Sequence, residues 1–157
     1  MQYCYDYPRP SVSVDMAVFR KKNEGPEILL IRRKLSPYQG MWALPGGFVE
    51  IDETLEHAAA RELEEETGLT GIILQQFRAF SDVNRDPRTR VITVVFYGKA
   101  AVENAKVTGG DDAEQADWFP VNNLPSLGFD HHEIISMLLE QALSWNTDET
   151  EYTDFHG

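Results

Sequence analysis

A single cysteine, Cys4, stands in the 157-residue sequence, so no intrachain disulfide can form and the fold must rest on packing alone. Basic residues are also scarce. Fourteen Lys and Arg face 26 Asp and Glu, for a formal net charge of −12. Such a chain repels nucleic-acid polymers unless its few cations cluster. The same acidity makes it a natural host for divalent cations, although acidity alone also serves solubility. No apolar run is long enough to span a bilayer, and the opening MQYCYDYPRP lacks the basic-then-apolar order of a secretory signal. The expectation is a cytoplasmic protein with no membrane partner. Internal repeats and linker-like stretches are absent too. The chain therefore reads as one domain over residues 1–157, with a core of about 11–144 and a polar tail over 145–157.

What is present has a clear periodicity. Ser11 to Phe19 alternates, with Val12, Val14, Met16 and Val18 on one side, and reads as a strand. Lys21 to Pro26 reads as a turn, Glu27 to Arg33 as a buried strand, and Leu35 to Gly40 as a loop. Thr54 to Thr67 is the clearest helix. Asp52 or Thr54 can cap its start, and Gly68 suits the left-handed position after its end. Ile72 to Phe80 and Val91 to Tyr97 are β-rich, joined by the polar stretch Ser81 to Arg90. Lys106 to Gln115 reads as a polar loop and Ala116 to Val121 as a short strand. A second helix starts near Asp130, where Asp130 and Glu133 suggest a capping box and Phe129 with Ile134 a hydrophobic staple. Its apolar face comprises Ile134, Ile135, Leu138, Leu139 and Ala142. Strands interrupted by two helices imply an α/β fold, a mixed sheet with helices packed on it.

The first long helix changes character along its length. Leu55, Ala58 and Ala59 have the spacing of a buried stripe, and the same steps lead to Glu62, Glu65 and Glu66. At 100° per residue these six span roughly a third of the circumference, while His57 and Glu64 point to solvent. Three carboxylates on an inward stripe are unfavourable alone. Like charges three or four apart each cost about 0.2–0.5 kcal/mol, and anions near a helix C-terminus cost about 0.3–1 kcal/mol each. A bound divalent cation reverses both terms, and Mg²⁺ or Mn²⁺ prefers such oxygen ligands. For ELEEE taken by itself, a solvated helix face is the ordinary reading.

The wider stretch GFVEIDETLEHAAARELEEETGL, Gly47 to Leu69, resembles the Nudix box: Gly47, Glu53, Arg61, Glu62, Leu63, Glu65, Glu66, Gly68 and Leu69 fill every specified place. A chance match in a chain this long is on the order of 10⁻⁸. The resemblance implies the Nudix fold, an α/β/α sandwich with a mixed central β-sheet. It also implies hydrolysis of a phosphoanhydride in a nucleoside diphosphate-linked substrate, with Mg²⁺ or Mn²⁺ as cofactor. In the family, the glutamates matching Glu62, Glu65 and Glu66 bind metal. Gly46 and Glu53 are further candidates for the metal site, and Arg61 is read as orienting a carboxylate. The water-activating base is open between Glu66, Glu62 and, outside the box, Glu114 in the loop GGDDAEQADWF. Asp111 and Asp112 fit metal or water contacts, and equally a solvated acidic loop. Pro45, Gly46 and Gly47 read as a tight turn that lets main-chain groups approach metal and phosphates.

Beyond the box, WALPGGFVE, RDPRTRVITVVFY, DDAEQADWF and FDHHEII resemble the bacterial and archaeal ADP-ribose pyrophosphatase branch over roughly residues 11–143. That would imply cleavage of ADP-ribose to AMP and ribose 5-phosphate, and a homodimer. Arg85, Arg88 and Arg90 cluster in one loop and could grip phosphate bidentately, or form an exposed hairpin tip. Arg33 could face the phosphates or pair with surface acids. Trp42, Trp118 and Phe119 read as core rather than base-stacking groups; His131 and His132 lack zinc-ligand spacing and also read as structural. Two rival readings remain: hydrolysis of a nucleoside triphosphate such as oxidised dGTP, or of a sugar nucleotide, and a non-catalytic sensor of ADP-ribose. Relatives of the sensor type carry a winged helix, for which the chain is expected to leave no room.

Overall fold

The structure is a computed structural model that describes residues 2–101, 107–110 and 113–141. Among these the elements run β1 (Ser11–Lys22), β2 (Gly25–Arg33), β3 (Trp42–Ala43), β4 (Gly46–Phe48), α1 (Leu55–Thr67), β5 (Gln75–Phe80), β6 (Val91–Lys99), β7 (Ala113–Pro120) and α2 (His131–Gln141). The sheet order is β3-β2-β1-β6-β5, with β4 also on β1 and β7 also on β2. β1 and β6 run parallel over Ser11–Phe19, and the other pairs are antiparallel, so the sheet is mixed as expected. β1 divides one edge between two neighbours: Phe19–Lys22 pairs with β2, and Ser13–Asp15 pairs with β4. That division brings the Gly46–Phe48 strand in beside β1 and under α1.

The core has two layers because both sheet faces are covered. Val14, Met16 and Val18 of β1 pack with Leu29, Ile31, Phe96 and Trp118 against Ala58, Ala59 and Leu63 of α1. The intervening Ala17 and Phe19 pack with Ile28, Leu30, Val95 and Tyr97 against Ile134, Ile135 and Leu138 of α2. This is the α/β/α sandwich. Burial of seven consecutive residues, Ser13 to Phe19, is the mark of a central strand with a parallel neighbour. Val12, grouped by alternation with the buried valines, is exposed instead.

Local chemistry fixes α1. The Thr54 hydroxyl accepts the His57 amide at 3.1 Å, so Thr54 is the cap rather than the first helical residue. Gly68 sits at φ 79°, its amide returning to the Glu64 carbonyl at 2.8 Å.

Several boundaries differ from the sequence reading. The first hairpin turn tightens to Asn23–Glu24, with both strands extending into Lys21–Pro26. Ile72–Leu74 lies outside β5. Ala113–Gln115 belongs to β7 rather than to a loop, because the strand continues past a bulge at Arg32/Arg33 of β2. Pro45–Gly47 is no tight turn: Gly46 and Gly47 open β4, and neither is among the glycines at positive φ. Glycine is needed there for close approach. A β-carbon on Gly46 would overlap Asp15 and the Val14 carbonyl, and one on Gly47 would overlap the Glu62 carboxylate. At α2, the Asp130 carboxylate is gripped by Arg85, and the Phe129 ring meets Tyr38 and His131, so the expected capping box and staple give way to side-chain contacts across the fold. The readings for Asp111, Asp112, Ala142 and the tail after Trp145 lie outside the described residues.

Candidate active site

The acidic end of α1 faces the Gly46–Phe48 strand, and its glutamates are graded by helical phase. The buried residues of the helix are Ala58, Ala59, Leu63, Glu66 and Thr67. At 100° per residue, Glu66 lies roughly 20° from the centre of that stripe, Glu62 roughly 60°, and Glu65 roughly 120°. Accordingly Glu66 is buried, the Glu62 side chain is 13% exposed, and that of Glu65 is 41% exposed. The equal inward placement expected of the three is corrected by Leu63 and Thr67, which shift the buried centre away from Glu65.

Glu66 is fixed from the strand side. Its Oε2 accepts the Gly46 amide at 3.0 Å, joining helix and strand across 20 residues of sequence. Glu62 lies against Gly47, and burial raises its pKa above the usual carboxylate range, outweighing the opposing pull of Arg61. Arg61 is the hub. Its Nε donates to Glu53 at 2.9 Å, one terminal nitrogen to Glu62 at 2.9 Å and Glu65 at 3.1 Å, and the other to the Phe48 carbonyl at 3.2 Å. Glu53 also accepts the Glu50 amide and faces His57 Nδ1, each at 2.9 Å. The Arg61 hydrogen bonds, then the Glu50 amide, hold the Glu53 carboxyl far below its ordinary pKa. Glu53 thus turns to Arg61, and so do Glu62 and Glu65. Among the described residues no three acidic, His or Cys side chains surround one point at which an ion could sit. The oxygen donors nonetheless suit a hard divalent cation: a buried carboxylate at Glu66, and a partly desolvated one at Glu62 that packs against Gly47 where a β-carbon would not fit.

A groove continues from the acids. One hollow, bounded by Gly47, Glu62 and Glu66, shares Arg33, Phe48 and Arg88 with a second that reaches Asp15 and His131. The second shares Arg85 and Phe129 with a third. The expected phosphate arginines are therefore divided. Arg33 lines the groove, with its Nε on the Pro37 carbonyl at 2.6 Å and its guanidinium 4.9 Å from the Phe129 ring centre. Arg88 also lines it, paired to Asp86 at 2.7 and 3.0 Å and lying over the Phe48 and Phe129 rings. Arg85 is buried and bidentate to Asp130 at 2.8 and 2.9 Å. Arg90 lies apart from these hollows, against the Asp82 carbonyl at 3.4 Å. Glu114 projects from β7, its side chain 57% exposed and 3.8 Å from Arg32, and it lines none of these three hollows. Trp42 and Phe119 stack edge-on against the α2-side core, and Trp118 lies in the α1-side core under Arg20.

Sequence reasoning missed a buried polar network beneath the groove. The Leu44 amide donates to His131 Nδ1 at 2.9 Å, which leaves the ring hydrogen on Nε2, facing Asp15 at 3.5 Å. Asp15 accepts the Thr93 hydroxyl at 2.7 Å and faces Arg85 at 3.7 Å. Burial alone would push the Asp15 pKa up; His131, Thr93 and Arg85 together outweigh it and hold it below the ordinary value. Only Asp15, a charge inside an apolar strand, carried a signal. His132, by contrast, is exposed.

The profile of the NUDIX domain matches residues 9–138. An ADP-ribose pyrophosphatase of Methanocaldococcus jannaschii is 46% identical over 129 residues, 82% of this chain and 73% of that protein. The ADPR-responsive transcriptional repressor NtrR of Acinetobacter baylyi is 36% identical over 94% of this chain, which spans 59% of the repressor's length. Among solved structures, the NUDIX domain of Shewanella oneidensis NrtR complexed with ADP ribose superposes with a TM-score of 0.81 at 26% identity, covering 88% of this chain and 94% of that one. A profile match over most of the chain, on a fold shared with these proteins, settles the family: this chain belongs to the Nudix hydrolases.

Proposed function

We propose that this protein hydrolyses the diphosphate of ADP-ribose, giving AMP and ribose 5-phosphate, with Mg²⁺ or Mn²⁺ bound at Glu62, Glu65 and Glu66. The observation that carries the reading is the buried Glu66 carboxylate, anchored by the Gly46 amide at the mouth of a groove that runs on past Arg33 and Arg88. The 46% identity to a named ADP-ribose pyrophosphatase and the ADP-ribose-bound structural neighbour support the choice of substrate.

In this reading water attacks one phosphorus, and the bond to the bridging oxygen breaks. Glu62, Glu65 and Glu66 would hold the divalent ion, which when bound would supply charge neutralisation at the phosphate oxygens and a more acidic attacking water. Glu66, held in place by Gly46, offers one carboxylate oxygen to the ion or to the water's proton. Glu62, about one turn earlier on the same helix, is the second candidate acceptor. Arg61 keeps Glu62 and Glu65 aligned from behind, and Glu53 keeps Arg61 in place. Arg33 and Arg88 orient the diphosphate by charge and by their planar donors. Glu114 of β7, beside Arg32, is the alternative acceptor outside α1. Assembly as a homodimer belongs to the same reading and is checked by sedimentation.

A substrate panel with Mg²⁺ and Mn²⁺ and product identification tests it. ADP-ribose should give AMP, whereas preference for a triphosphate with release of pyrophosphate would replace the substrate. Glu66→Gln should lower kcat by on the order of 10²–10⁴ and abolish most of the Mg²⁺-induced rise in Tm, with the fold retained. The 36% identity to a repressor favours a second reading, an ADP-ribose sensor. Tight ADP-ribose binding without turnover in the wild type would select that reading.

A further inference from the structure

Among the described residues, only two non-glycine positions have positive φ: Tyr38 at 59° and Phe129 at 54°. For bulky aromatic residues this backbone is unfavourable, and it persists only where surrounding structure imposes it. The two residues come from loops far apart in sequence, yet their rings meet edge-on with centroids 4.7 Å apart. Gly128 permits the contact, since a β-carbon there would lie 2.9 Å from Tyr38 Cβ. Neither ring belongs to the two core clusters, so the strain is not offset by core packing. Instead the pair walls an open hollow of about 480 Å³, with Asp82, Asn84 and Glu133 at its rim. This hollow continues the groove beyond Arg33, whose guanidinium lies on the Phe129 ring.

Resting on the nucleotide-substrate reading above, we propose that Tyr38 and Phe129 form the shelf for the substrate's nucleobase, and that the rim selects a base bearing an exocyclic amino group. The volume suits a nucleoside, and aromatic faces stack any base. Selection comes from the rim. Asp82 and Glu133 carboxylates only accept hydrogen bonds, so they favour an amino group over a carbonyl at the same position. Arg85 and Asp130, which also border the hollow, are already paired to each other.

The test measures AMP and ribose 5-phosphate binding by titration calorimetry with Mg²⁺, on the wild type, Tyr38→Ala and the ring-preserving Tyr38→Phe. Kinetics with ADP-ribose and its hypoxanthine analogue run in parallel. Tyr38→Ala should weaken AMP by about 10-fold or more, and ribose 5-phosphate by far less, while Tyr38→Phe restores AMP binding. The wild type should prefer ADP-ribose over the hypoxanthine analogue in kcat/KM, and the double variant Asp82→Asn, Glu133→Gln should narrow the ratio. Unchanged AMP affinity in Tyr38→Ala overturns the shelf. Equal loss of both ligands, or loss of ribose 5-phosphate alone, also overturns it by assigning the hollow to the sugar. If the wild type leaves ADP-ribose uncut while Tyr38→Ala still loses AMP, the substrate reading fails and the shelf stands.

Discussion

Arg61 and Arg85 are each surrounded by acids, but they hold them in different ways. The Arg61 side chain is 20% exposed and divides its nitrogens among Glu53, Glu62, Glu65 and a carbonyl. That of Arg85 is 3% exposed and commits to Asp130, with Asp15 behind it. Arg61 therefore spreads its charge over several carboxylates, and no single bond carries the whole tie. Arg85 joins the 81–90 loop to the start of α2, and its own side chain is buried there, so a lost partner is poorly replaced by water. The same side chain acts as an adjustable counter-ion in one place and a fixed tie in the other, and burial decides which.

The largest effect expected from this contrast is on stability. Arg85→Ala leaves Asp130 and Asp15 without their shared cation and should cost about 3–5 kcal/mol, a fall in Tm of roughly 6–20 °C. Arg61→Ala removes more contacts but from a wetter site, and should cost far less. Thermal melts of the two variants in metal-free buffer decide the matter, and equal losses would end the distinction. A double-mutant cycle with Asp130→Ala sharpens it, since Arg85→Ala should add little once Asp130 is gone.

The second effect is on turnover. Arg61→Lys keeps the charge but loses the planar fork that reaches Glu53, Glu62 and Glu65 together. Activity should fall about 10–100-fold with Tm nearly unchanged. Wild-type kcat in this variant would mean that the shared fork does not align the carboxylates.

The two regions also differed in how far the sequence revealed them. Everything around Arg61 lies within Gly46–Glu66, so helical phase placed Glu62 and Glu66 on one stripe, and the resemblance to the Nudix box added Glu53 and Arg61. Even there the phase was slightly off, because Leu63 and Thr67 set the buried centre and left Glu65 at the edge. Around Arg85 the contacts join residues 45 to 87 positions apart: Asp15 with Thr93, Arg85 with Asp130, Leu44 with His131. No periodicity encodes such pairs. Alternation in β1 singled out the Val14, Met16 and Val18 face, but α2 covers the other face, which carries Asp15, as well. The short strands β3 and β4 were equally hidden, since two or three residues hold too little pattern to show a strand.

The smallest effect separates the buried network by pH. Asp15 has a folded-state pKa below its ordinary value of about 3.9, so its ionised form adds stability above that pH, and the contribution is lost as pH falls through the folded-state pKa. Asp15→Asn retains an acceptor for Thr93 but presents no charge to His131 or Arg85. At neutral pH the variant should melt below the wild type. The gap should close as pH drops below about 4, because the wild type then protonates the group that the variant lacks. Melting curves from pH 7 to pH 3 measure it directly. A gap independent of pH would mean that Asp15 matters for its shape in the strand rather than for its charge, and that the tie at Arg85 rests on Asp130 alone.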